Sequence, residues 1–177
     1  MIQKIYTQTL KTPYGELLAG DFQGSLCLLD WKYRKMRATL DKKIALGLQS
    51  TYEEKSTPLL ENLKEQLSDY FTEKLQTFDI PLLMVGTDFQ KAVWNALLKI
   101  PYGQTKSYLT LSRELGNEKA IRAVASANGA NTISIIIPCH RIIGSNREMV
   151  GYAGGVLAKK KLLELESNSQ YKQATLF

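Results

Sequence analysis

Histidine and cysteine are nearly missing from this chain of 177 residues: His140 is the only histidine, and Cys27 and Cys139 are the only cysteines. The two thiols lie far apart and form no CxxC, and a zinc site needs four ligands, so the reading includes no structural metal and no cofactor. Long apolar runs are also absent. Nothing approaches the roughly 18 residues of a membrane span, and the opening MIQKIYTQTL lacks the apolar core of a signal peptide. A soluble, cytoplasmic protein without a membrane partner is expected. With 44% hydrophobic and 23% charged residues the composition is that of a globular protein rather than a disordered one. The length suits one or two domains that need no disulfide or metal staple.

Acidic residues are scarce in one half only. Residues 1–90 carry 11 Lys and Arg against 12 Asp and Glu, whereas 91–177 carry 12 against 5, which accounts for the net charge of +6. The C-terminal half is therefore suited to a polyanion, nucleic acid or anionic lipid, although a merely soluble basic surface has the same sign.

The first thirty residues alternate apolar and polar, with turn signals at TPYG and FQG, and predict a three-stranded meander over 2–10, 15–21 and 25–31. Cys27 falls within the third run and reads as a small core hydrophobe. The charged stretch 32–43 shows no clear period. Thr57 and Pro58 then open a helix carrying Leu59, Leu60, Leu63, Leu67, Tyr70, Phe71 and Leu75 at three- and four-residue spacing, which should cover the meander. Pro81 and Gly86 mark the change of charge balance, placing a domain boundary near residue 84.

The second half starts with Thr87-Asp88-Phe89-Gln90, a capping box, and the stripe Phe89, Val93, Leu97 and Ile100 predicts a helix ending before Pro101. Ser107 caps a short helix that Gly116 closes, and Asn117 caps the next. Two helices joined so tightly make a helix-turn-helix candidate, with an ordinary helical corner as the alternative. The second helix, KAIRAVASANGAN, offers one long basic side chain, Arg122, among Ala123, Ser126, Ala127 and other small residues. Such a face allows close approach to a phosphate strand or a narrow groove with little sequence readout, or equally tight core packing.

Next comes an apolar run, ISIII, which reads as a buried strand ending in Pro138-Cys139-His140-Arg141. A structural cysteine belongs inside such a run rather than beside His and Arg at its polar margin. An ordinary thiol is only about 3% thiolate at pH 7, and His140 and Arg141 could raise that fraction. Successive strand side chains point to opposite faces, so Cys139 and His140 require a turn or a water relay to communicate. An imidazole base also needs an orienting acceptor, for which Glu148, Glu164 and Glu166 are the downstream candidates. The glycine loop GYAGG precedes a helix expected over 156–166.

These segments together resemble the alkylguanine-DNA alkyltransferases, also called methylated-DNA–protein-cysteine methyltransferases. The resemblance is carried by GTDFQKAVW, IPYGQTKSY, KAIRAVASANGAN, IIPCHRIIG and GYAGG followed by LLELE, in family order from about residue 86 to 166. It implies an α+β protein: a small N-terminal α/β domain, ribonuclease H-like, over 1–84, a mostly helical, winged-helix-like domain with a helix-turn-helix over 85–167, and a tail, 168–177. It implies stoichiometric, irreversible repair in which Cys139 accepts an alkyl group from the O6 position of guanine, with the O4 position of thymine as a further candidate, in double-stranded DNA held through the minor groove by a monomer. His140 would draw the thiol proton through a water, Glu166 would orient His140, and Tyr108 would donate to the base. Arg122 would fill the gap left by a flipped nucleotide, with Ala123, Ser126 and Ala127 along the DNA. Asn131 would be the hinge before the acceptor segment, and Tyr152 and Gly154 would line the base pocket. A non-catalytic module that recognises alkylated bases is the alternative, and the presence of Cys139 argues against it. Thr132, Ile133 and Ser134 stand where many members carry prolines, a departure from the family pattern that leaves the pocket's shape and substrate range open.

Overall fold

The computed structural model describes the backbone of residues 1–174 and side chains through Ser167. It contains two compact units, Met1–Gly86 and a second from Thr87 onward.

In the first unit β1 (Gln3–Thr12), β2 (Gly15–Phe22) and β3 (Ser25–Trp31) form the expected antiparallel meander. The sheet has a fourth strand, β4 (Ser50–Glu54), parallel to β1, giving the order β3-β2-β1-β4. A parallel neighbour needs a crossover, and α1 (Arg37–Gly47) supplies it from the stretch that shows no period. Only Leu40 and Ile44 of α1 are buried. Arg37 instead pairs with Asp30 at 2.7 Å and with Asp41, while Arg34 reaches Asp30 at 2.9 Å, so buried Asp30 is neutralised by two guanidiniums. The helix α2 (Pro58–Phe71) is capped by the Thr57 hydroxyl, which accepts from the Leu60 amide at 3.2 Å. Its buried face, Leu60, Leu63, Leu67 and Tyr70, packs on β1 and β2. Cys27 lies with Ile5, Phe22, Leu28 and Ile44 in a core cluster, and burial pushes its thiol up to about 12, which makes it inert.

The second unit begins with α3 (Asp88–Leu98), where Thr87 and Gln90 satisfy each other's backbone amides at 3.0 and 3.1 Å. Val93, Trp94 and Leu97 are its buried face, and Phe89 is 43% exposed, contrary to the expected stripe. At the helix's first turn Phe89 projects outward, while Trp94 packs inward and donates its indole N–H to the Ala127 carbonyl at 2.8 Å. A two-residue strand, β5 (Lys106–Ser107), leads into α4 (Tyr108–Glu114), capped by Ser107. Gly116 adopts φ +80, a conformation that disfavours any residue with a Cβ, and turns the chain into a 3-10 helix, Glu118–Ala120, and α5 (Ile121–Gly129). After Cys139–Arg141, β6 (Ile142–Ile143) pairs parallel with β5. The last helix, α6 (Val156–Ala174), runs past Glu166 through most of the segment expected as a tail, because no Gly or Pro interrupts it; residues 175–177 lie outside the described residues. Among the described residues, no helix is long and apolar enough to cross a membrane.

Candidate active site

The segment before Cys139 is not a strand. Residues 132–137 form a buried turn in which Ile135, despite its branched side chain, sits at φ +72. Asn131 holds this turn: its Nδ2 donates to the carbonyls of Ile137 at 2.9 Å and Ile133 at 3.4 Å, and its Oδ1 accepts from the Ile133 amide at 3.0 Å. Those local bonds replace a strand partner, which is why an apolar, β-branched run folds back on itself here. Cys139, His140 and Arg141 then form one 3-10 turn, all three buried. Placing Cys139 on a turn removes the strict alternation of a strand that would have sent its side chain and that of His140 to opposite faces.

His140 is fully buried, and its Nε2 lies 2.8 Å from Oε1 of Glu166. Burial pushes the imidazole below its ordinary value even though Glu166 pulls it upward. Burial by itself would raise the Glu166 carboxyl, but His140 and Arg141 outweigh it and hold the group well below the usual carboxylate range. Nε2 therefore donates to an ionised carboxylate and Nδ1 carries the lone pair. Nδ1 is buried and has no hydrogen-bond partner among the described residues. Of the three glutamates open as partners, Glu166 is the one at His140. It is also gripped by Arg141, whose Nε and Nη2 donate to its two oxygens at 2.9 Å each. The Arg141 guanidinium, expected from the sequence to help ionise the thiol together with His140, is paired with Glu166.

Tyr108, the first residue of α4, points its hydroxyl at the Val150 carbonyl, 3.5 Å away. Burial and the neighbouring Cys139 push its phenol up, and the Asn128 amide moderates this. Tyr152 places its ring edge-on to His140 with centroids 6.3 Å apart, and Gly154 is buried in the same loop. On α5, Arg122, Ala123 and Ser126 are exposed along one face. Ala127 departs from expectation: it is 3% exposed and turned inward, since its position packs against Trp94.

Sequence reasoning missed Lys159. This lysine is fully buried, and its Nζ donates to the carbonyls of Ile142 at 2.5 Å, Val150 at 3.0 Å and Gly151 at 3.4 Å. Burial pushes its ammonium down, and the nearby Cys139 pulls it back up. The signal was present: Lys159, Leu162 and Glu166 fall at helical spacing on one face of α6, hidden in the run Lys159-Lys160-Lys161.

Comparison with known proteins matches two family descriptions. Residues 88–168 match "6-O-methylguanine DNA methyltransferase, DNA binding domain", and residues 5–84 match its "ribonuclease-like domain". The Methylated-DNA–protein-cysteine methyltransferase of Methanosarcina acetivorans is 39% identical over 165 residues, covering 93% of this chain and 99% of that protein. The chain belongs to this methyltransferase family. A constitutive member from Bacillus subtilis is 39% identical over 168 residues, covering 95% of this chain and 98% of its own length. Among solved structures of the family, Mycobacterium tuberculosis OGT in complex with DNA superposes with a TM-score of 0.79 at 37% identity, covering 93% of this chain and 94% of that one. The mixed α+β architecture, a sheet domain followed by a helical domain, is that of the family.

Proposed function

We propose that this chain repairs DNA by moving a methyl or larger alkyl group from the O6 position of guanine, with O4-alkylthymine as a further candidate, to Cys139. The observation that carries this reading is the buried turn that sets Cys139 next to His140, whose Nε2 is fixed by Glu166. His140 Nδ1 takes the thiol proton through a bridging water, leaving a thiolate. The sulfur attacks the saturated alkyl carbon, the carbon–oxygen bond breaks, and the guanine leaves with its electron pair. Tyr108 donates its hydroxyl proton to the departing base and is reprotonated by the proton first taken from Cys139, so the net change is thiol to thioether and alkylated base to guanine. A donor aimed at the developing charge lowers the barrier without being consumed. A thioether offers no carbonyl for water to attack, so each chain acts once.

A base alkylated at its exocyclic oxygen is hidden in the duplex and must be flipped out to react. Exposed Arg122 suits the gap, and the small residues Ala123 and Ser126 suit close approach of α5 to the minor groove. Ala127 has no part in that face except through its backbone. Asn131 couples α5 to the acceptor turn, and Tyr152 and Gly154 border the base. Residues 1–84 and 85–167 would serve as the ribonuclease-like and DNA-reacting domains of a monomer working in the cytoplasm. Tight binding to duplex containing methylated guanine, with transfer of its methyl group to Cys139, is the test; binding without transfer would instead favour a recognition module.

A further inference from the structure

Glu166 is shared. Its Oε1 takes both His140 Nε2 at 2.8 Å and Arg141 Nη2 at 2.9 Å, its Oε2 takes Arg141 Nε at 2.9 Å, and the Gly103 amide reaches Oε2 at 3.4 Å. The remaining arm of the guanidinium, Nη1, donates to the Ile100 carbonyl at 2.7 Å, which anchors Arg141 from α3's end. An isolated buried carboxylate would favour the imidazolium form of a histidine bonded to it, since opposite charges at this range stabilise one another. With Arg141 paired on the same carboxylate, the trio is neutral overall, and protonating His140 would bury an uncompensated positive charge. Of the other groups near His140, Lys159 approaches from α6 with the same sign as Arg141, Tyr152 presents a neutral ring, and Cys139 carries an opposing charge only once its own proton has left.

We infer that Arg141 is a positioning residue whose charge, spent on Glu166, keeps His140 unprotonated, so that Nδ1 remains an acceptor for the Cys139 proton at and below neutral pH. The inference rests on the reading of His140 as the base. It gives Arg141 a task that loss of packing alone would not mimic, because its signature is the protonation state of a different residue.

His140 is the chain's only histidine, so its titration can be read directly by imidazole nitrogen and carbon resonances in the full-length protein. In the native chain His140 is expected to be neutral at pH 7 with its proton on Nε2. Arg141→Gln is expected to move the titration upward by about one unit, a tenfold rise in the protonated to neutral ratio at a given pH. Arg141→Lys, which keeps the charge, should restore the native titration in large part. Single-turnover transfer from methylated duplex should show the same pattern, the Arg141→Gln rate declining with acid about one pH unit above the point where the native rate declines; a structural defect would depress the rate by the same factor at every pH. A native His140 already charged at pH 7 overturns the inference even if no variant folds, as does a folded Arg141→Gln protein that titrates like the native one. If His140 responds as expected but Cys139 accepts no methyl group from DNA, the charge balance stands and the proposed function fails. Methyl transfer with an unshifted His140 has the reverse meaning.

Discussion

At Cys139 the choice of sulfur over oxygen carries the chemistry. Cys139→Ser keeps nearly the same shape in a buried turn but presents an alcohol, which is far less ionised than a thiol. It should bind lesion-bearing duplex as the native chain does and accept no alkyl group; measurable transfer to that variant would remove Cys139 from the mechanism. His140 and Glu166 make a paired prediction about acid. His140 lies below its ordinary value because its charged form is buried, so the unfolded chain binds a proton near pH 6.5 that the folded chain refuses. That contribution to stability is present above the unfolded value and is lost as pH falls through and below it. Glu166 acts with the same sign: its folded value is depressed, so its contribution is present above the unfolded carboxylate value near 4.3 and fades as pH falls further. Denaturant melts at pH 7 and pH 4 should therefore show stability falling with acid. Glu166→Gln should flatten the acid limb and cost about 3–5 kcal/mol at neutral pH by leaving Arg141 buried without its counter-charge. Equal stability of the native chain at both pH values would contradict this.

Among the elements, the turn over 132–137 and the helix α5 divide the work. Asn131→Ala would release the bonds to Ile133 and Ile137 and leave buried backbone groups unsatisfied, at about 2–3 kcal/mol; a thermal melt unchanged from native would contradict the bracing role. On α5, Arg122→Ala should impair repair within duplex DNA more than reaction with a free alkylated base, and equal losses on both substrates would reject a role in filling the duplex. The elements also differ in how much of them could be read from sequence. The meander, α2 and the capped starts of α3 and α4 were legible because turn residues, caps and apolar spacing agree at each. The helix α1 and strand β4 were not, since their polar residues are committed to ion pairs with Asp30 and to an edge position, where burial leaves little period. The apolar run before Cys139 misled for the opposite reason: its β-branched residues are buried as a strand's would be, but the Asn131 side chain supplies the hydrogen bonds. His140 was legible from its place beside Cys139, Glu166 was singled out among three glutamates only through resemblance to the family, and Lys159 was concealed because a lysine within a run of three reads as solvated.

For the whole molecule, charge and stoichiometry are the observable properties. The excess of basic residues in 91–177 predicts that affinity for unmodified duplex falls at least about tenfold between 50 and 200 mM salt, the dependence that two neutralised phosphates would give. Salt-independent binding would argue that DNA is not the polyanion this half is built for. The most direct test of the central claim is the intact mass of the full-length protein after mixing with an excess of duplex carrying methylated guanine, followed by peptide mapping. The account predicts a gain of one methyl group per chain, located on Cys139 and not exceeded at longer times. An unchanged mass despite tight binding to the lesion, or a methyl group carried elsewhere, would contradict it.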